Sequence, residues 1–131
     1  MKIWKVVRKS RGNLVSAFVG REGYQHPFVA TYEEGKETTA PVGRLFAFDS
    51  LNAATYWLHM QNGRSDLVLY EAETTKFYRL RRPIYQNQYF IQEYSKAWWA
   101  NQLTLEVGKN NVAMPPTGTI TCKSLTLLRP V

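Results

Sequence analysis

One cysteine, Cys122, occurs among the 131 residues. A lone thiol closes no internal disulfide, so a disulfide-stapled secreted scaffold is excluded and a reducing, cytoplasmic setting is expected. Cys122 lies in a strand-like run and reads as a buried thiol, not a nucleophile. Histidine is almost as scarce: His26 and His59 stand far apart, with no cysteine or carboxylate at ligand spacing. A metal site is therefore not expected. His59 falls near a helix end, where an exposed or capping histidine is ordinary. No apolar run approaches the ~20 residues that cross a bilayer, and no membrane partner is expected. The opening Met1-Lys2-Ile3-Trp4-Lys5-Val6-Val7-Arg8 lacks the apolar core of a signal peptide. There is no Gly-x-Ser-x-Gly elbow and no Walker-type phosphate loop; Gly12, Gly20 and Gly23 are scattered and read as turns. Acidic residues are few, 10 against 17 lysines and arginines, giving a net charge of +7. That surplus favours an anionic partner: a nucleotide, a nucleic acid or an acidic protein.

What is present supports one folded domain, 1–131. Apolar residues make up 44% and aromatics 14%, enough for a real core. The chain reads as organised around 44–73. Leu45-Phe46-Ala47-Phe48 is a short apolar run suited to a buried strand. Asp49 and Ser50 offer side-chain oxygens to a first helical turn. Leu51, Ala54, Thr55 and Leu58 share a helical face, and Asn62-Gly63 suits a left-handed C-terminal cap. Leu67 to Ala72 is rich in strand formers. Such a crossover is normally right-handed, often between parallel strands.

Residues 2–8 and Leu14 to Val19 predict two strands joined by a turn, with Gly12-Asn13 supplying positive φ. Phe28 to Tyr32 predicts a third. Lys76 to Arg82 predicts another, with Phe77, Arg79 and Arg81 on one side and Tyr78, Leu80 and Arg82 on the other. Gln92 to Gln102 predicts a short helix, and Leu103 to Val107 a strand. Thr119 to Leu128 predicts a last strand with a bulge where its apolar phase slips, between Cys122 and Leu125. The expected class is α+β: a single strand-rich domain, a central strand–helix–strand unit (44–73) and one or two short helices.

Basic residues carry the most functional information. Lys2, Lys5, Arg8, Lys9 and Arg11 crowd the first hairpin, and Lys76, Arg79, Arg81 and Arg82 a later strand. Arginine forks grip phosphate. Tyr78, Tyr85, Tyr89, Trp98 and Trp99 lie close in sequence and offer rings on which a base stacks. The candidate ligand-binding set is Arg79, Arg81, Arg82, Tyr78, Tyr85, Trp98 and Trp99; the alternative is a solvated basic face over an aromatic core. Tyrosines and tryptophans in 84–99 also suit a homo-oligomer contact. Glu71 and Glu73 share one strand face, a pair that does acid–base work if one pKa is raised and is otherwise a solvated face.

With Arg8 on an early strand, Ser50 at a strand-to-helix junction and Glu71 or Glu73 on the next strand, residues 1–73 resemble the N-terminal part of the ADP-ribosyltransferase fold. Phe48-Asp49-Ser50 stands where that family has Ser-Thr-Ser. The resemblance implies Arg8, Glu71 and Glu73 as catalytic residues if the chain is an enzyme. The segments Lys5-Val6-Val7-Arg8…Gly12-x-Leu14-x-Ser16-Ala17 and Leu45-Phe46-Ala47-Phe48-Asp49-Ser50-Leu51-x-x-Ala54 resemble small accessory proteins of tailed phages. That implies a counter-defence role in a bacterial host cell, such as a sponge for nucleotide-derived signals. The leading expectation is a non-enzymatic binding protein for a small anionic ligand, needing no cofactor. The alternatives are a divergent ADP-ribosyltransferase-like enzyme and a module that binds nucleic acid or blocks an acidic host protein.

Overall fold

The structure is a computed structural model and describes residues 1–17, 30–41, 43–61, 64–85 and 112–131. The predicted helix at 92–102, the strand at 103–107 and the Asn62-Gly63 cap lie outside these residues.

The first strand, β1 (Lys2–Ser10), is the pivot. One of its edges pairs antiparallel with β6 (Leu67–Glu73), from Lys2↔Glu73 to Arg8↔Leu67. Its other edge is shared. Trp4 meets Phe48 of β5 (Leu45–Phe48), and Val7 to Ser10 meet β2 (Asn13–Ser16). Beyond β2 lies β3 (Thr31–Tyr32). The sheet runs β4 (Glu37–Thr39), β11 (Ser124–Pro130), β6, β1, β5, β10 (Thr119–Cys122), β7 (Tyr78–Arg79), every pairing antiparallel. A separate two-stranded ladder joins β8 (Ile84–Tyr85) to β9 (Val112–Ala113).

The first hairpin closes more tightly than the sequence suggests. Ser10 pairs with Asn13, leaving Arg11 (φ 51°) and Gly12 (φ 82°) as a two-residue loop. Two positive φ values match the twist of the flanking strands. It is Arg11, not Asn13, that joins Gly12 in the left-handed region.

Lys123 marks a corner. The sequence reads 119–128 as one strand with a bulge; the structure ends β10 at Cys122 and restarts β11 at Ser124. β10 pairs with β5 on one side of β1, and β11 with β6 on the other. In a flat sheet those positions would lie about 19 Å apart, at ~4.8 Å per strand. Two Cα steps cover at most about 7 Å. The sheet must therefore curl strongly, so that its two sides approach each other at Lys123. A register shift does occur, but between Leu127 and Arg129 against β6.

Alternation then sorts the side chains. Ile3, Val7, Leu45, Ala47, Ala72, Ile120, Cys122, Leu125 and Leu127 form one buried cluster with Ala30 and Tyr32. Cys122 is fully buried there, as its setting in the sequence predicts. The opposite face carries Val6, Phe48 and Leu69. They pack with Ala54 and Trp57 of the helix α1 (Leu51–His59), where the Phe48 and Trp57 ring centroids are 5.9 Å apart. Burial of a large apolar side chain such as Trp57 contributes about 1.5–3 kcal/mol. α1 starts at Ser50, whose extended backbone (φ −142°) lets its hydroxyl accept the Ala53 N–H at 3.1 Å. His59 is exposed in the last turn. β5 and β6 are both antiparallel to β1 between them, so they run parallel to each other.

Among the described residues, no helix is long and apolar enough to cross a membrane.

Candidate functional site: a cleft at the start of α1

The chain leaving β9 crosses the start of α1 as Met114-Pro115-Pro116-Thr117-Gly118. Gly118 (φ +84°) lets it lie directly on the helix: a Cβ there would stand 2.6 Å from the Ala53 Cβ. Hydrogen bonds hold the crossing, among them a Thr119 N–H to Pro116 O bond at 3.1 Å. Asp49 N–H donates to Gly118 O at 2.9 Å, Leu80 N–H to Thr119 O at 3.0 Å, and the Thr119 hydroxyl to Pro116 O at 2.6 Å.

Two hollows flank this loop and share a wall of Ser50, Ala53, Pro115, Pro116 and Thr117. One, of about 550 Å³, is lined further by Asp49, Arg79, Leu80, Arg81 and Met114. The other, of about 750 Å³, is lined by Asn52, Tyr56, Trp57, Met60 and Gln61. The first is cationic and the second largely apolar. Tyr56 and Met60 are both well exposed. In the cationic arm, Arg79 pairs with Asp49 at 3.4 Å and lies 6.0 Å from the Phe77 ring. Arg81 is exposed and makes no ion pair among the described residues. Two guanidiniums thus face one carboxylate.

The sequence-derived set divides. Arg79 and Arg81 reach this cleft, but Tyr78, one residue from Arg79, is not among its lining. Tyr78 meets Arg44 at 4.9 Å and Lys76 at 5.0 Å, measured to its ring centroid. The Lys76 hydrogen bond to the phenol is the largest influence on the Tyr78 pKa; burial opposes it, the Lys76 and Arg44 charges reinforce it, and the pKa lies below the ordinary phenol value. Arg82 is half-buried. Tyr85 enters β8 opposite Val112. Trp98 and Trp99 lie outside the described residues. Arg44, Asp49, Ser50 and the Pro115-Pro116 wall escaped the sequence reading as cleft or surface partners of these arginines. Strand order brings them there, and no local spacing announces it.

The chain matches no protein-family model, no curated protein and no solved structure.

Arg8, Glu71 and Glu73 are placed by the β1–β6 ladder. Arg8 sits opposite Leu67 and Glu71 opposite Trp4, four residues or about 13 Å apart along β6. Glu71 is clamped by Lys2 and by Arg129 at 2.9 Å. The Lys2 hydrogen bond first, and then the charges of Arg129 and Lys2, hold its pKa below the carboxylate range. An acid so held stays ionised at neutral pH and has no proton to give. Glu73 is exposed and stands opposite Lys2. Arg8 presents an anomaly: its Nε and Nη2 are sealed from solvent and have no hydrogen-bond partner. Ser50 spends its hydroxyl on the α1 cap. Among the described residues, no three histidine, cysteine, aspartate or glutamate side chains group at a metal-holding distance.

Proposed function

We propose that the protein is a binding protein for a small anionic ligand with a flat apolar part, a nucleotide or nucleotide-derived signal, held in the joined cleft at the start of α1. The strand–helix–strand run 44–73 would serve as its frame. Arg79 and Arg81 would take the phosphate, each charge-assisted hydrogen bond contributing about 1.5–3 kcal/mol. The Tyr56–Trp57–Met60 side and the two prolines would cover the base. The single observation behind this reading is continuity: the cationic and apolar hollows share one wall, so a molecule of both characters spans them. Asp49 adds selectivity, because a ligand must draw Arg79 away from it.

The test is calorimetric titration of AMP, ADP, a cyclic dinucleotide and ADP-ribose, with melting temperature as a second readout. Saturable heat with at least one of them, weakened tenfold or more in an Arg79→Gln/Arg81→Gln double variant, is the expected result. No heat and no melting shift with any of the four removes the proposal, as does undiminished binding by the double variant.

A further inference from the structure

We propose that Arg44, Lys76 and Tyr78 form a second anion site, separate from the cleft, whose ligand is a phosphate group. Two cations converge on one exposed ring here, and neither makes an ion pair among the described residues. Arg44 lies 4.9 Å and Lys76 5.0 Å from the same centroid, so the two charges are at most about 10 Å apart and repel. A ring face attracts a cation, but it does not neutralise one. An anion seated between them would.

The donors are positioned in advance. The Arg44 Nε and Nη2 donate to the Thr121 hydroxyl at 3.0 Å and to the Thr121 carbonyl at 3.1 Å, fixing the guanidinium plane. Guanidinium has five N–H donors, so others remain for a ligand. Thr121 is itself locked opposite Tyr78 in the β10–β7 ladder. The arginine and the tyrosine are thus set by one threonine. Lys76 is exposed and adds an ammonium, and Tyr78, about half exposed, adds a hydroxyl. Lys123, also exposed, follows directly at the end of β10.

Three different donors around one ring suit an anion with several oxygens. A carboxylate accepts in a single plane, whereas a tetrahedral phosphate presents its oxygens in three dimensions. The low phenol pKa agrees, since a more acidic hydroxyl donates more strongly. The phosphate has two possible sources, a small phosphorylated molecule or the backbone of a nucleic-acid strand. The site is independent of the cleft reading, because Tyr78 and Arg79 are adjacent on β7 and serve different surroundings.

The test follows the tyrosine ring carbons and arginine Nε–H signals of isotope-labelled protein by NMR. One arm titrates inorganic phosphate and the other a ten-residue oligothymidylate, with ionic strength held constant by sodium chloride. Tyr78 and Arg44 signals are expected to move and saturate. Lys76→Gln and Tyr78→Phe should each weaken the response at least fivefold, and Arg81→Gln should leave it unchanged. Saturation by inorganic phosphate assigns a small phosphorylated ligand; saturation by the oligonucleotide alone assigns a phosphodiester backbone, and either supports the site. Shifts that never saturate in either arm overturn it, as does undiminished binding by both variants. Loss of nucleotide binding in the cleft would not touch this result.

Discussion

Gly118 and Ala53 meet so closely that no side chain fits between them. A Cβ on Gly118 would stand 2.6 Å from the Ala53 Cβ and 2.9 Å from the Asp49 Oδ1, on a backbone with φ +84°. Gly118→Ala is expected to cost about 2–5 kcal/mol, combining a left-handed penalty of ~1–2 with overpacking of ~1–3. Urea denaturation measures it. In the double variant with Ala53→Gly the overpacking part should return, though not the backbone part. A single-variant loss below about 0.5 kcal/mol would show that the loop does not rest on the helix.

Lys5 is 2% exposed and donates to the Phe46 carbonyl at 2.6 Å, with the Tyr32 ring centroid 5.5 Å away. Lys5→Met keeps the stem and removes the donor, so it should destabilise by about 1–3 kcal/mol through the carbonyl it leaves behind. Lys5→Ala should cost more, since a cavity is added. A Lys5→Met variant as stable as the parent protein would mean that the ammonium contributes nothing.

Acid should unfold the protein through Glu71 and Asp66. The Asp66 pKa is lowered chiefly by the Arg64 hydrogen bond, and that of Glu71 by the Lys2 hydrogen bond. A carboxylate with a lowered native pKa contributes stability above its unfolded pKa. That contribution declines as pH falls past the ordinary carboxylate range and is gone below the native pKa. Glu71→Gln should therefore be less stable at neutral pH and show a shallower acid limb in melting temperature against pH. The Lys2 and Arg129 partners are mostly exposed, so added salt should narrow the difference. Parallel acid limbs for the two proteins would refute the assignment.

Arg8 faces apolar neighbours, Val15 on one side and Leu67 on the other, with two of its nitrogens sealed and unpartnered. A cation so placed costs more than it returns. Arg8→Met should raise the melting temperature, by about 1 kcal/mol or more in stability. Asp66 keeps its Arg64 partner in that variant. A lower melting temperature would show that the guanidinium stabilises the fold.

The local features were legible. The apolar content of Ile3, Trp4, Val6 and Val7 marked β1, the run 45–48 marked a buried strand, and Asp49 and Ser50 marked the start of the helix. Strand partners were not legible. The slip between Cys122 and Leu125 was visible, but a phase slip looks the same for a bulge and for a corner. Only the identity of the two neighbouring strands tells them apart. The cluster 76–82 drew attention to Tyr78 and Arg79, yet they serve different surroundings. Their closest partners, Arg44 and Asp49, come from the two ends of β5, more than two dozen residues upstream. Linear proximity pointed to the cations and missed what they face.

The pivot strand is also synthesised before every strand it pairs with. Its longest ladder needs residue 73 beside residue 2, and the closing corner needs residues 119–130. At ~5–20 residues per second, β1 waits several seconds of translation for its partners. During that wait an apolar ribbon with open edges is offered to chaperones and to neighbouring nascent chains. Synthesis of this protein should be more sensitive to chaperone supply than its small size suggests.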